Sequence, residues 1–531
     1  MAAETPPCVL HEDDELLVVA KPAGWNTHAP APFAGEGIYD WLRHREPRWA
    51  GLAIVHRLDR DTSGVMLFAK TPRASRELGA QFARHEVRKH YLLLTDGNAP
   101  LREQRVEGVV ARAGDRYVAR APGAAGDAAV TIFAPAGDAA VRPRLVAAQP
   151  LTGRTHQIRV HAAASGFPVL GDALYGGGPA PRLCLHAVRI TLRHPASGDE
   201  VSFESAPDFA ADHHAALRAA VIDPAATDAF RALHGAADAQ PGLYLDRLGD
   251  YLLAQSEREP SAAERQLMAR IAARGRYHRR LDRQVRRLAA EQASPRLLDG
   301  TPAPERFTVC ENGVRYELGF DDGYSVGLFL DQRDNRRRFL TGHVAAGFPL
   351  WATTTATSRP EVLNAFAYTC GFSVCAALGG ARSTSLDLSK RYLERGRRNF
   401  EINGIDPADH DFIYGDAFDW FRRLARKGRR FDALVLDPPT FSQSKAGGRF
   451  RAEADYGRLL EAALPLLASG GVLLACANTA RLAPEVFVAT LRDAIAAAGR
   501  RISAEHYAPQ PPDFPVTRDE PAYLKTLWLR I

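Results

Sequence analysis

The sequence predicts a multidomain chain, α+β in its first part and α/β in its last. Three observations carry that expectation. The chain has 531 residues, well beyond the roughly 100–200 of one domain, so several cores are expected. Residues 1 to about 209 alternate short β-like runs with turns rich in Gly and Pro, the pattern of a mixed, largely antiparallel sheet. Beyond residue 359, apolar strands alternate with helical stretches, which predicts a parallel sheet covered by helices on both faces.

In chain order, the first part offers β-like runs at 16–20, 65–69, 91–95 and 201–204. Residues 205–227 turn rich in Ala, Asp and Pro without strand periodicity, as a linker does. Hairpin-like runs at 243–255 and 313–318 follow, separated by an arginine-rich stretch expected to be helical. A second soft boundary at 342–359 contains Thr353-Thr354-Thr355. Strands are then expected at 362–366, 383–386, 412–414, 433–436 and 472–475. The expected division is 1–209, a linker at 210–226, a small central α+β domain at 227–350 and an α/β domain at 351–531.

With 46% hydrophobic and 24% charged residues, the composition is that of a globular protein. No apolar run is long enough to cross a bilayer, so no membrane partner is expected. Residues 1–10 lack the layout of a signal peptide, which predicts a cytoplasmic protein. Cys8, Cys184, Cys310, Cys370, Cys375 and Cys476 are scattered and form no C-x2-C pair, so reduced thiols and no metal are expected. The net charge is +6, and the arginines cluster at 276–287, 333–338, 391–398 and 422–430. Such clusters suit a polyanion, although solvated helix faces would look the same.

The segment His56-Arg57-Leu58-Asp59-Arg60-Asp61-Thr62-Ser63-Gly64 sets a carboxylate between two arginines on a loop entering a strand. Cationic neighbours would keep Asp59 ionised and nucleophilic; a surface salt-bridge cluster reads the same way. The nonapeptide resembles the signature of the RluA-type pseudouridine synthases. Residues 13–24, Lys89-His90-Tyr91, 153–161 and 171–176 resemble further motifs of that family, in the same order.

The resemblance implies isomerisation of uridine to pseudouridine with no cofactor. It implies Asp59 as nucleophile on the sugar or the ring, or as the group assisting elimination. Tyr91 would stack on the base and take the carbon 5 proton, and Arg159 would be the basic residue paired with the aspartate. Arg57 would fill the space left by the flipped-out base. The family's S4 RNA-binding module is not expected here, so RNA affinity should come from elsewhere in the chain.

Residues 362–372 read as strand, tight loop and helix start, and Asp387 ends the next strand sixteen residues after Gly371. This arrangement suits a nucleoside cofactor, whose ribose hydroxyls the carboxylate would take. Asp416 either bonds an adenine amine or caps a helix. Asp437-Pro438-Pro439-Thr440-Phe441 follows an apolar strand, and its prolines fix a rigid turn where ligands bind in open α/β sheets.

Asp-Pro-Pro resembles the substrate loop of class I S-adenosylmethionine-dependent methyltransferases. More narrowly, residues 364–372, 327–336 and 437–445 resemble the RlmI and RlmK types of ribosomal RNA large-subunit methyltransferase, and 229–247 resembles the central domain of the RlmI type. The resemblance implies a Rossmann-like domain and S-adenosylmethionine as cofactor. Asn364, Phe366, Tyr368, Gly371, Asp387, Asp416, Asp437 and Gln332 would hold it, and the substrate would be a base in 23S ribosomal RNA.

Two target atoms stay open. Methylating carbon 5 of cytosine needs a thiolate on carbon 6, and Cys476 falls where the RlmI type carries its cysteine; guanine N7 mainly needs positioning. The Asp437–Lys445 segment and Asn478 are closer to the RlmK type, which makes 7-methylguanosine. Cys476 also fits ordinary packing at a strand end. Cys370 stands where the family has glycine and is expected to keep φ below zero.

The combined expectation is a bifunctional RNA-modifying enzyme. An RNA-binding assembly factor with one degenerate site is an alternative, against which Asp59, Tyr91, Arg159, Asp387 and Asp437 all count. A small-molecule methyltransferase fused to a pseudouridine synthase is another, against which the arginine clusters count. The oligomeric state is not legible in the sequence.

Overall fold

The computed structural model describes residues 5–138, 141–281, 293–321, 323–351, 359–444 and 448–531. Residues 1–4, the end of the 276–287 arginine cluster, Thr353 to Thr355 and Lys445 lie outside the described residues. Two compact units emerge, one of Met1–Pro30, Glu36–Leu42 and Gly51–Asp223, the other of Ala31–Gly35, Arg43–Ala50 and Pro224–Ile531.

The first unit is built on a mixed, largely antiparallel sheet. Its central strands are β1 (Leu16–Lys21), β2 (Ser63–Ala69), β3 (Arg88–Thr95), β4 (Arg144–Pro150) and β5 (Leu185–Arg193), in the spatial order β1-β2-β5-β3-β4. Only β2 and β5 run parallel among these neighbours. The contact is close: a Cβ on Gly64 would lie 2.2 Å from the Ala187 carbonyl, and Gly64 has φ 121°. No side chain fits there, which explains the glycine ending the Asp59 motif. Helix α1 (Gln157–Ala164) covers part of the sheet, and Asp212 caps α2 (His213–Val221) inside the stretch expected as linker.

The second unit contains two large sheets. The smaller has the order β6 (Ala229–His234), β7 (Tyr244–Leu248), β8 (Tyr251–Ser256), β9 (Gly275–Arg280) and β10 (Arg296–Gly300), with α3 (Ala262–Ala269) joining the parallel pair β8 and β9. The arginine-rich stretch expected as helix is therefore a strand where it is described. Parallel pairing with β8 and burial of Tyr277 against Tyr251 and Phe320 decide it, since packing outweighs local propensity.

Next comes α4 (Arg333–Thr341), and then the larger sheet: β11 (Glu361–Ala365), α5 (Gly371–Leu378), β12 (Arg382–Asp387), α6 (Lys390–Glu401), β13 (Asp411–Tyr414), α7 (Ala417–Arg426), β14 (Phe431–Leu436), β15 (Leu467–Asn478), β16 (Ala504–Ala508) and β17 (Leu524–Arg530). The order is β13-β12-β11-β14-β15-β17-β16, parallel through β15 and antiparallel beyond it. Strand order reverses between β11 and β14. A ligand crevice belongs at the carboxyl ends of these two strands.

The 333–338 arginines do not form an RNA surface, because they point inward. Arg333 makes two bonds to Asp513 at 2.8 and 2.6 Å, and Arg336 two to Glu311 at 2.7 and 2.6 Å. Arg337 bonds Glu46, and Arg338 donates to the Val344 carbonyl. Amphipathic periodicity in so charged a helix gave no hint of buried carboxylate partners 25, 180 and 291 residues away. Removing one partner strands a buried charge, so Asp513→Ala is expected to cost the second unit about 3–5 kcal/mol, read as a fall in its urea midpoint. The outward arginines are elsewhere: Arg422, Arg423, Arg426 and Arg430, on and after α7, are exposed. Among the described residues no helix is long and apolar enough to cross a membrane.

Candidate active sites

In the first unit, the loop between the short strand Ala53–Ile54 and β2 carries Asp59 into a cavity of about 540 Å³. Two buried donors grip this loop on either side of Asp59. Lys21 Nζ donates to the carbonyls of Pro22, Trp25 and Arg60 at 2.9, 2.7 and 2.9 Å, and Thr27 Oγ1 donates to the Leu58 carbonyl at 2.9 Å. Burial pulls the Lys21 ammonium down to about 7, with Asp61 and Asp59 opposing the shift. His56 Nε2 accepts the Leu67 amide, and burial holds this ring at about 3, so it is neutral.

The cavity brings together Arg57, Asp59, Tyr91 and Arg159, along with Lys89, His156 and Thr62. Tyr91 sits at the centre of the sheet, paired with Ala187 and Ala148. Burial first, and then the Asp59 charge, push its hydroxyl well above the ordinary tyrosine value. Arg57 is exposed and donates to Thr155 Oγ1 at 3.1 Å. The resemblance paired Arg159 with Asp59, but here its fork closes on Asp172 at 2.7 and 2.8 Å. Asp59 acts on Arg159 only through its field. Asp172 also lies in a motif legible in the sequence; its partner was not. His156, in the left-handed region at φ 57°, bonds the Tyr175 hydroxyl, another contact the sequence did not announce.

In the second unit, the chain leaves β11 through a loop in which Phe366, Tyr368 and Cys370 all have positive φ, at 61°, 48° and 63°. Cys370 thus contradicts the expectation of negative φ. It adopts the glycine-like conformation directly, and its side chain fills the space left by Gly396 on α6, where a Cβ would lie 2.3 Å from its sulfur. Asp387 ends β12 with both oxygens engaged, accepting the amides of Tyr368 and Ser389 at 2.8 Å each. Asn364 is buried beneath the loop and donates to Ser373 Oγ at 2.9 Å, and Gly371 opens α5. Phe366 packs at the edge of the core near Phe450. Asp416 caps α7 through the Asp419 amide, so the capping role holds whatever else Asp416 does.

Leu436 pairs with Ala475, which brings the next residues, Asp437 and Cys476, level at the carboxyl ends of β14 and β15. Gln332 donates to Asp437 Oδ2 at 3.2 Å. Burial, with the Asp331 carboxyl close by, pushes Asp437 up to about 7. Cys476 is fully buried, and both burial and the Asp437 charge push its thiol well above the ordinary value.

The family model for RNA pseudouridylate synthases matches residues 15–164, and that for S-adenosylmethionine-dependent methyltransferases matches residues 258–530. The chain belongs to the S-adenosylmethionine-dependent methyltransferase family. Its first unit carries an RNA pseudouridylate synthase domain, so one chain holds an isomerase and a transferase. Curated relatives include Ribosomal RNA large subunit methyltransferase I of Aeromonas salmonicida, 33% identical over 57% of this chain and 74% of the relative. Ribosomal RNA large subunit methyltransferase of Deinococcus radiodurans is 31% identical over 65% of this chain and 83% of the relative. A solved methyltransferase complexed with SAH is 28% identical over 57% of this chain and 76% of that one, with a TM-score of 0.49.

S-adenosylmethionine is the cofactor of this methyltransferase family. The crevice fits it: a helix N-terminus opens behind a loop of left-handed residues, and a carboxylate ends the neighbouring strand. Bound there, the cofactor supplies an electrophilic methyl group.

The raised Asp437 carboxyl also leaves a signature in stability. Its ordinary value is 3.8 and its folded value about 7, so the unfolded chain ionises first as pH rises. This contribution is neutral below pH 3.8 and destabilises progressively between 3.8 and 7. Asp437→Asn is expected to remove that slope, making the variant more stable than the parent by up to about 4 kcal/mol above pH 7. Urea unfolding of both proteins at pH 5 and pH 8 checks it.

Proposed function

We propose that this chain modifies large-subunit ribosomal RNA, 23S in bacteria, at two bases. Its first unit would convert a uridine to pseudouridine, and its second would methylate carbon 5 of a cytosine. The domain limits 1–209, 227–350 and 351–531, with a linker at 210–226, belong to this proposal. So does cytoplasmic action. Ribosomal RNA enters through the names of the curated relatives.

In the first site, Asp59 is the group that opens the glycosidic bond. Arg159, backed by Asp172, holds positive charge beside it, and Tyr91, a protonated phenol, stacks on the detached uracil and relays a proton as the new carbon–carbon bond forms, giving its own to N1 and taking the one from carbon 5. N1 regains a proton, so atoms balance and no redox step occurs. Arg57, exposed at the mouth, occupies the space the flipped base vacates.

In the second site, one observation carries the choice of atom: a thiol and a carboxyl near neutrality stand side by side at the switch point. Ionised Asp437 accepts the Cys476 proton, and the thiolate adds to carbon 6 of cytosine, which makes carbon 5 nucleophilic. After methylation, the carbon 5 proton passes through solvent to Cys476 as its thiolate departs, which restores the ring, and Asp437 releases to solvent the proton it took. Guanine N7 needs neither group. The full burial of Cys476 and the proximity of Asn478 favour that second reading. Nucleoside mass spectrometry of RNA methylated by the pure protein decides between them: 5-methylcytidine is expected, and 7-methylguanosine would select the second.

Around the cofactor, Asp387 would take the ribose hydroxyls, Asn364, Phe366, Tyr368 and Gly371 would shape the loop, and Asp416, Gln332 and Asp437 would border the adenine and methyl ends. Asp387→Ala is expected to weaken S-adenosylmethionine binding roughly 10- to 100-fold through two lost charge-assisted bonds. Calorimetry on the full chain measures this.

A further inference from the structure

A second cavity of the methyltransferase unit, about 320 Å³, lies between the five-stranded sheet and the loop 324–331. Its size is that of a small-ligand pocket. Four observations give it a ligand. Phe329 lines it and is 46% exposed, an aromatic face left open to solvent, while its other contact is Tyr368 of the cofactor loop at 5.1 Å between ring centroids. Asp331, 7% exposed, also lines it and is the pocket carboxylate whose charge acts on Asp437; its neighbour Gln332 bonds Asp437 directly. Arg279 lines it from β9, held by the Tyr324 carbonyl and Gln255, with Tyr324 4.3 Å beneath its guanidinium. Asp246 acts on Arg279 only through its field, being itself paired with Arg231, and Arg279 Nε has no hydrogen-bond partner among the described residues.

We propose that this cavity receives the flipped target base, stacked on Phe329, with Asp331 reading an exocyclic amine next to the methylated atom and Arg279 reading a carbonyl on the far side. Opposed donors and acceptors on a stacking platform are how proteins read an extruded base. The polarity of the pocket then selects the base. In cytosine the 4-amine is attached next to carbon 5, and the 2-carbonyl points away from it. A carboxylate at the methyl-transfer end and a guanidinium beyond it match that order. Guanine reacting at N7 would turn its 6-carbonyl, an acceptor, towards Asp331. Uracil would do the same with its 4-carbonyl. The inference rests on the cytosine reading above and makes Asp331 the residue that enforces it.

The test uses the full chain. RNA from cells lacking it is methylated with labelled S-adenosylmethionine, the product nucleoside is identified, and its position is mapped. That position is then offered in a short transcript as C or as U to the parent, Asp331→Asn and Arg279→Met. Asp331→Asn is expected to lower kcat/KM on the C transcript roughly 10- to 100-fold and to narrow the preference for C over U. Arg279→Met should lower kcat/KM without narrowing it. Calorimetry should give both variants the parent's S-adenosylmethionine affinity, which reports that the second unit is folded. A 5-methylcytidine product with Asp331→Asn unchanged in rate and preference overturns this inference alone. A 7-methylguanosine product overturns the cytosine reading and, with it, the assignment of Asp331.

Discussion

Asp59→Asn is expected to reduce pseudouridine formation by at least about 10⁴-fold, as loss of a nucleophile does, while methyl transfer by the same molecules keeps its rate. The substitution is nearly isosteric, and the loop around it is fixed independently: Lys21 and Thr27 hold the carbonyls of Arg60 and Leu58, not the Asp59 side chain. Folding should therefore survive, and Arg159 keeps its two bonds to Asp172. Among the described residues lining the cavity, what disappears is the one carboxylate able to act on the sugar or base. Retained isomerisation would remove Asp59 from the mechanism.

The second large effect belongs to Cys476. Cys476→Ala removes a fully buried thiol that lies level with Asp437 at the ends of adjacent strands. If the thiol adds to carbon 6, methylation should fall by about 10⁴-fold or more, with S-adenosylmethionine affinity and pseudouridine formation unchanged. If the thiol only packs, the cost is a small cavity, about 1 kcal/mol of stability, and an intact rate. The two outcomes differ too widely to be confused.

Most of the architecture was legible because it follows from pattern. The apolar run at 433–436 and the run at 362–366, broken only by Asn364, announce strands buried on both faces, and they are β14 and β11. The alternating runs of the first unit gave its mixed sheet, and ordered motifs gave Asp59, Tyr91 and Arg159 a common cavity. What stayed hidden depends on partners distant in sequence. Arg276, Arg279 and Arg280 lie in a strand because β8 lies beside them. Arg333 and Arg336 are buried because Asp513 and Glu311 receive them. Cys370 accepts a left-handed backbone because Gly396 yields room for its sulfur. Asp331 stood inside a motif already noticed, yet its place in the second cavity required the fold of the central sheet.

In the proposed function, two separate active sites on one chain modify RNA. Nucleoside mass spectrometry of large-subunit RNA from cells lacking the chain, complemented with the parent, Asp59→Asn or Cys476→Ala, tests it most directly. The parent is expected to restore one pseudouridine and one 5-methylcytidine, Asp59→Asn only the methylated base, and Cys476→Ala only the pseudouridine. Loss of both modifications in either variant, or of neither in both, would contradict it.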